Sequence, residues 1–324
     1  MNETHLIESI GLEDLVAARN CLAGIAARTP LLQYSGGGDD RDIYLKPECL
    51  QPHGSFKIRG SCNAVLSLSA AERDAGIYTM SAGNFGQGIA AIARQLGVPV
   101  RVYAPDTAAR NKIDRMRSLG ACVELMPFPR WWDLLSGEVP PGEAGSRIHP
   151  CSGRAVIIGN ATIAAEILED APDIDAIFVP FGGGGLTLGV LAATRLLAPH
   201  VAVIACEASG STPLTSAMRA GGPVDVLRDP TSFIDGIGGT RVLTALWPML
   251  RRFVSGTEVV DESLAAETVV ALHRYNHLVV EGAGAVPVAA ARMASQWKGK
   301  KVVAIVSGGN IDTDVLMKLL RGTV

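Results

Sequence analysis

The 324-residue sequence has little net charge and no run of like charges. It contains 29 basic and 32 acidic residues, which give a formal net charge of -3. Such a balance provides no electrostatic footprint for a phosphate backbone or an anionic lipid surface, so nucleic acid is not an expected partner. Hydrophobic residues make up 48% of the chain. This fraction is enough to bury a large core, and it excludes intrinsic disorder.

Cysteine is scarce, and its spacing fits no known framework. The six residues are Cys21, Cys49, Cys62, Cys122, Cys151 and Cys206. No CxxC motif and no Cys/His pair at metal-ligand spacing occurs, so we expect neither a zinc site nor a set of disulfides, and no metal. The N-terminal segment carries acids where a signal peptide would carry bases and an apolar run. We therefore expect reduced thiols in a cytoplasmic protein.

The uncharged stretch at residues 176–194 reaches membrane-spanning length. Pro180 and the four consecutive glycines that start at Gly182 would break a helix exposed to lipid. We interpret this stretch as a strand, a loop and a helix, and we expect no membrane association.

Short β-branched runs alternate with alanine-rich runs, as in parallel strands joined by crossover helices. This pattern predicts an α/β fold with a doubly wound sheet, in roughly two domains or one large unit. Predicted strands cover residues 98–103, 121–125, 176–179, 201–206 and 301–306. Predicted helices cover residues 9–26, 89–96, 110–119, 161–169, 186–197, 262–275 and 285–296. The proline-rich segment 127–153 is predicted to be irregular, either a linker or a loop over a cleft.

Four glycines stand between a predicted strand and a predicted helix. They are Gly182, Gly183, Gly184 and Gly185. Glycines at this position let backbone N–H groups approach an anion at a helix N-terminus, although a single glycine would indicate only a tight turn. The run has no P-loop lysine and does not fit GxGxxG, because its sixth position is Thr187. An anion site of another kind is favoured.

Three further segments carry chemistry-bearing side chains. In GSFKIRG, residues 54–60, Lys57 follows Phe56 and is a candidate amine nucleophile, while Arg59 is equally suited to a structural ion pair. The segment SAGNFGQG, residues 81–88, precedes a predicted helix. Its backbone amides and side chains are suited either to bind a carboxylate or to cap the helix. In SGGN, residues 307–310, Ser307 follows a strand, where open α/β sheets bind ligands.

With these motifs together and in this order along the chain, the sequence resembles the serine/threonine dehydratase branch of the fold type II pyridoxal-phosphate enzymes. That branch includes serine racemases and hydroxyaspartate ammonia-lyases. The resemblance extends over residues 29–313. It also includes KPE at 46–48, VP at 179–180, DG at 235–236 and EGAG at 281–284. It implies a large doubly wound parallel-sheet domain, residues 1–76 and 151–324, and a smaller mobile α/β domain, residues 77–150, that closes over the active site.

The resemblance also implies a role for individual residues. Lys57 would hold pyridoxal 5'-phosphate as a Schiff base and remove the α proton, and Phe56 would pack against the cofactor ring. Asn84 would contact its phenolic oxygen and Ser307 its ring nitrogen. The phosphate would be bound by Gly182, Gly183, Gly184, Gly185 and Leu186. Substrate contacts would come from Ser81, Ala82, Gly83, Asn84, Phe85, Cys151, Gly236 and Gly239.

A serine at the ring nitrogen favours α,β-elimination, because it does not hold a fully charged pyridinium. The expected activity is an ammonia-lyase that converts a β-hydroxy-α-amino acid, by default L-threonine or L-serine, to a 2-oxo acid and ammonia. Ala82 replaces the second base of family racemases, so efficient racemisation is not expected. Pro213 replaces an acid of the cation site that relatives build with Glu207, which puts that metal in doubt.

Several alternatives remain at this point. A bulkier apolar substrate such as phenylserine would suit Trp131 and Trp132, and an acidic one such as 3-hydroxyaspartate would need an arginine. The candidate arginines are Arg130, Arg147, Arg154 and Arg241. A β-replacement enzyme, a nicotinamide dehydrogenase and a non-catalytic metabolite-binding protein are less favoured. We expect a homodimer and, because the chain stops soon after residue 310, no regulatory domain.

Overall fold

The computed structural model describes residues 5–36 and 42–323 in two sheets. The larger sheet has six strands in the order β1-β2-β10-β7-β8-β9, and all neighbours are parallel except β1 and β2. Its strands are β1 (Leu32–Gln33), β2 (Asp42–Lys46), β7 (Ala176–Pro180), β8 (Ala202–Ala208), β9 (Gly256–Val260) and β10 (Lys301–Ile305). The parallel, doubly wound α/β prediction is confirmed.

The smaller sheet has four strands in the order β5-β4-β3-β6, and all its pairs are parallel. The strands are β3 (Ile77–Met80), β4 (Val100–Pro105), β5 (Cys122–Met126) and β6 (Ser146–Arg147). All of them fall within residues 77–147. The division of the chain into a large domain and a mobile small one stays a prediction.

Helices connect the strands of both sheets. They are α1 (Leu12–Leu22), α2 (Lys57–Leu66), α3 (Ala70–Asp74), α4 (Asn84–Leu96), α5 (Arg110–Ser118), α6 (Phe128–Ser136), α7 (Arg154–Asp170), α8 (Gly185–Leu197), α9 (Pro213–Ala220), α10 (Trp247–Phe253), α11 (Glu262–Asn276), α12 (Gly282–Met293) and α13 (Thr313–Arg321). In the part of the chain that the structure describes, no helix is long and apolar enough to cross a bilayer.

The prediction for segment 127–153 was wrong in part, because it contains α6 and β6. Pro127 is the N-cap of α6 and a second proline lies in its first turn, where a missing N–H costs nothing. Trp131, Leu134 and Leu135 are buried on one face of this helix. The two tryptophans therefore lie on a helix and not on a loop.

The larger sheet separates two hydrophobic cores, as alternation along a strand requires. In β7, Ile177 and Val179 pack into the core that contains α7 and α8. Ala176 and Phe178 pack on the opposite face, with α11 and α12. Because both faces are covered, every residue of β7 is buried.

A buried ion network fixes the start of α2. Arg59, whose side chain is 2% exposed, donates to Glu48 from Nε at 2.8 Å and to Glu166 from Nη1 at 2.7 Å. Lys46 Nζ lies 2.7 Å from the same Glu166 and 2.6 Å from the carbonyl of Thr29. Of the two possibilities open for Arg59, the ion pair is the one observed, and it anchors the helix that carries Lys57.

Candidate active site

A cavity of about 200 Å³ lies between the two sheets and contains all the predicted site motifs. Its wall includes Phe56, Lys57, Ser81, Ala82, Gly83, Asn84, Phe85, Cys151, Gly182, Gly183, Gly184, Gly185, Leu186, Gly236, Gly239 and Ser307. Every site residue predicted from the sequence thus lines one cavity. Their roles toward a ligand remain proposals.

Lys57 is the first residue of α2, and its amine lies between two aromatic rings. Nζ is 4.7 Å from the centroid of Phe56 and 5.8 Å from that of Phe85. Burial lowers the pKa of Lys57, while Cys151 and Glu281 oppose the shift. A lysine with a lowered pKa has a larger fraction of neutral, nucleophilic amine near neutral pH. Lys57 is therefore suited to carbonyl chemistry.

Backbone hydrogen bonds bring Ser307 to the Lys57 segment. The N–H of Phe56 donates to the Ser307 carbonyl at 3.0 Å, and Gly309 N donates to Gly54 O at 2.8 Å. Ser307 is buried just beyond the end of β10. The hydroxyl that the sequence places at a strand end thus lies beside the residue that precedes Lys57.

The four glycines form the turn between β7 and the N-terminus of α8. Gly184 caps the helix with a φ of +88°, a conformation that favours glycine. A Cβ atom on Gly183 would overlap the Sγ of Cys151, and one on Gly185 would lie 2.8 Å from the Cys151 Cα. The close approach of Cys151 therefore requires glycine at these two positions. The helix N-terminus presents backbone N–H groups to the cavity wall.

The N-terminus of α4 forms a second group of backbone donors. Ser81 Oγ accepts from the N–H groups of Gly83 at 3.1 Å and Gly86 at 2.9 Å. Gln87 N donates to the Gly83 carbonyl at 3.1 Å. Within the described residues, the N–H groups of Asn84 and Phe85 have no acceptor. Ser81 thus accepts from donors at the start of α4, as a capping side chain would, and the two N–H groups are free to donate to an anion.

Two carboxylates and a lysine that we did not predict as site residues also line the cavity. Asn84 Nδ2 donates to Glu281 Oε1 at 2.6 Å. Lys112 Nζ lies 2.9 Å from each carboxylate oxygen of Asp235 and 3.3 Å from Glu281 Oε2. The DG and EGAG motifs were visible in the sequence as parts of the resemblance. Lys112 carried no local signal, because its helix is polar and rich in basic residues.

Three aromatic residues of α6, Phe128, Trp131 and Trp132, line the cavity. Trp131 is buried, and its Nε1 donates to the Tyr103 carbonyl at 3.0 Å. Trp132 is half-buried and stacks on Phe128 with ring centroids 6.1 Å apart. Trp131 is thus held by packing and a hydrogen bond, whereas the indole of Trp132 lies beside Gly239.

None of the four arginines considered for an acidic substrate lines the cavity. Arg130, Arg154 and Arg241 form ion pairs with Glu138, Asp14 and Asp225. Arg147 donates to the carbonyls of Gly137 and Leu134. The arginine in the cavity wall is Arg228, whose guanidinium carbon lies 5.5 Å from the centroid of Phe128. It lies in the segment between α9 and α10, where the sequence gave no motif.

Glu207 is buried at the end of β8 and is engaged by α9. Its carboxylate accepts from Leu214 N at 2.7 Å, Thr215 N at 2.8 Å and Thr215 Oγ1 at 2.6 Å. Burial raises the pKa of Glu207, and these hydrogen bonds oppose the shift. Within residues 5–36 and 42–323, no cluster of three or more His, Cys, Asp or Glu side chains is arranged to hold a metal.

Comparison with known proteins identifies the family. A family model described as "Pyridoxal-phosphate dependent enzyme" matches residues 22–308. An L-threonine ammonia-lyase of Thermotoga maritima is 36% identical, covering 96% of this chain and 78% of that protein. A serine racemase of Oryza sativa subsp. indica is 30% identical, covering 95% and 94%.

The solved structures agree. The processed form of threonine deaminase isoform 2 from Solanum lycopersicum has a TM-score of 0.82 at 27% identity, covering 96% of this chain and 94% of that one. The resemblance found in the motifs is confirmed, and the chain belongs to the family of pyridoxal-phosphate dependent enzymes.

Proposed function

We propose that the protein is an ammonia-lyase that eliminates the β-hydroxyl of a β-hydroxy-α-amino acid and releases a 2-oxo acid and ammonia. The observation that carries the proposal is the position of Lys57. Its amine, with a pKa lowered by burial, lies in one cavity with the N-termini of α4 and α8. The ammonia-lyase and deaminase relatives support the same reaction class.

The residues of this chain fit pyridoxal phosphate. The turn at Gly183 admits no Cβ atom, and the helix N-terminus that follows suits a phosphate. The Lys57 amine suits an aldehyde, and the ring of Phe56 beside it suits a flat heterocycle. The cofactor supplies an electron sink that stabilises negative charge at the substrate Cα.

The protein contributes binding and proton transfer. We assign the substrate carboxylate to the N–H groups of Asn84 and Phe85 and the phosphate to residues 182–186. Lys57 Nζ takes the proton from Cα, and the hydroxyl leaves from Cβ with its bonding electrons and one proton, as water, which balances the proton removed. The released enamine becomes an imine, and one water hydrolyses it to the 2-oxo acid and ammonia. Ser307 Oγ is assigned to the ring nitrogen. A neutral hydroxyl at that position favours loss of the β-substituent over return of the proton.

L-Threonine and L-serine are the default substrates. A larger apolar β-substituent is the second candidate, and it is favoured by the wall of Phe128 and Trp132 together with the exclusion of four arginines from the cavity. An acidic substrate would have to use Arg228. Ala82 offers no second base for racemisation. A homodimer remains a prediction.

The deciding experiment measures 2-oxo acid release by the cofactor-loaded protein with L- and D-serine, L-threonine, the 3-hydroxyaspartates and phenylserine. We expect turnover of at least one member, and its loss in Lys57→Ala. Chiral analysis of the remaining substrate would detect racemisation. A protein that binds the cofactor but releases no 2-oxo acid from any member would refute the proposed function.

A further inference from the structure

An ion network of buried Lys112, buried Glu281 and the more exposed Asp235 joins the two sheets at the cavity. Lys112 belongs to α5, which follows β4 of the four-stranded sheet, and its side chain is 5% exposed. Its partner Asp235 lies between α9 and α10, and Glu281 is the N-cap of α12. The helices α9 and α12 contact strands of the six-stranded sheet. One lysine side chain therefore connects the two sheets.

The charges in this network depend on one another. Burial disfavours the charged amine of Lys112, but Glu281 and Asp235 outweigh burial and raise its pKa. Glu281 is itself buried, and an ionised carboxylate in such a position is costly without a cation. Removal of the Lys112 charge would leave Glu281 with no cation within hydrogen-bond reach in the described chain.

Glu281 and Asn310 together fix the side-chain amide of Asn84. Its Nδ2 donates to Glu281 Oε1 at 2.6 Å, and its Oδ1 accepts from Asn310 Nδ2 at 2.9 Å. Asn310 Nδ2 also donates to the His53 carbonyl at 2.8 Å. Because a carboxylate only accepts, the orientation of the Asn84 amide is determined. One amide N–H of Asn84 remains for a ligand in the cavity.

The backbone packs tightly against the network at two glycines. A Cβ atom on Gly83 would lie 2.6 Å from Lys112 Cδ, and one on Gly308 would overlap Glu281 Oε1. The aliphatic part of Lys112 thus packs directly beneath the start of α4. Movement of this lysine would disturb both the amide of Asn84 and the backbone donors beside it.

We propose that Lys112 is a positioning residue, whose ion pair with Glu281 fixes the place of that carboxylate and thereby orients the free amide N–H of Asn84 toward the cofactor. The proposal rests on the proposed function and on the contact of Asn84 with the cofactor's phenolic oxygen that the family resemblance implies. It adds that the orientation is complete only when α5 lies against the chain around residues 235 and 281. The approach of the two sheets and the order of the cofactor site are therefore coupled.

The test compares Lys112→Met with Lys112→Arg and with a control, Lys301→Met. Lys301 is a half-buried lysine paired with the carboxylate of Asp173, but it does not line the cavity. Three quantities are measured for each variant: the melting temperature without cofactor, the dissociation constant for pyridoxal phosphate, and the pH dependence of the long-wavelength absorbance of the loaded protein.

We expect Lys112→Met to weaken cofactor binding at least ten-fold and to shift the absorbance titration, and Lys112→Arg to restore both in part. Lys301→Met should leave both the cofactor affinity and the titration unchanged. If Lys112→Met fails to fold, Asn310→Ala, which removes the second anchor of Asn84, should give the same shift.

Unchanged cofactor affinity and titration in a folded Lys112→Met protein, or in Asn310→Ala, would overturn the proposal. These readouts require no turnover. A wild-type protein that binds the cofactor but eliminates nothing would refute the proposed function and would still answer this question.

Discussion

The indole of Trp132 lies directly against Gly239, so that a Cβ atom on the glycine would be 3.0 Å from Trp132 Cη2. Trp132 belongs to α6, beside the four-stranded sheet, and Gly239 belongs to the segment between α9 and α10. Both residues line the cavity. A side chain at position 239 would compete with the indole for the same space.

Substitution of this pair should change substrate preference. Gly239→Ser places atoms where the indole lies, so we expect KM for phenylserine to rise several-fold relative to KM for serine. We expect Trp132→Ala to raise the same ratio of KM values, because it removes an aromatic ring from the cavity wall. The control is Trp131→Phe, which loses the hydrogen bond to Tyr103 and should lower the melting temperature without altering the ratio of the two KM values. Equal changes for both substrates would show that the pair does not read the β-substituent.

The glycine turn gives a second prediction, on cofactor affinity. Gly183→Ala brings a methyl group into the Sγ of Cys151, whereas a Cβ atom on Gly182 meets its nearest neighbour at an ordinary 3.5 Å. We expect Gly183→Ala to lower both the melting temperature and the affinity for pyridoxal phosphate, the latter at least ten-fold. Gly182→Ala should keep the melting temperature of the wild type. A wild-type melting temperature in Gly183→Ala would contradict the close approach of Cys151.

His149 should make stability depend on pH. Burial lowers the pKa of His149 to about 4, from 6.5. Its Nδ1 accepts from the N–H groups of Cys151 and Ser152, both at 3.0 Å, and Nε2 faces the Leu135 carbonyl at 2.9 Å. Between these two pKa values only the unfolded chain binds the proton. The contribution of neutral His149 to the free energy of unfolding is therefore largest above pH 6.5, and it is lost as the pH falls toward 4.

The measurement is the free energy of unfolding of the wild type and of His149→Gln at pH 7 and pH 5. The variant has no proton to bind at this position. The advantage of the wild type should shrink by about 2 kcal/mol between the two pH values, at roughly 1.4 kcal/mol per pH unit below 6.5. A constant difference would mean that His149 titrates normally in the folded protein.

The contacts of Glu207 predict that activity does not need a divalent cation. Three donors from Leu214 and Thr215 already occupy its carboxylate. We expect EDTA and added Mg²⁺ or Ca²⁺ to leave turnover unchanged. Thr215→Val should lower the free energy of unfolding by about 1–3 kcal/mol, because a buried carboxylate loses a hydrogen bond. Activation by a cation in the wild type would show that the carboxylate is released from α9.

The segments with strong local signals could be read from the sequence. The alternation of apolar runs gave β7, β8 and β10 to within two residues, and the glycines at 182–185 marked the start of α8. Weak local patterns misled the interpretation. Proline at the start of a helix looks like proline in a loop, so α6 was missed. The first strand of the small sheet, Ile77–Met80, is too short for a periodic signal.

The sequence by itself determined the family and the cofactor and predicted the role of Lys57, because these depend on residue types in short contiguous motifs whose local geometry is nearly independent of the rest of the chain. Only the tertiary structure decided which charges share the cavity. Lys112 reaches Asp235 across 123 positions of sequence, and Asn84 reaches Glu281 across 197. The tertiary structure also showed that the four candidate arginines lie outside the cavity lining, whereas Arg228 and Trp132 are part of it. Contacts at such separation follow from the packing of two sheets, which no local pattern encodes.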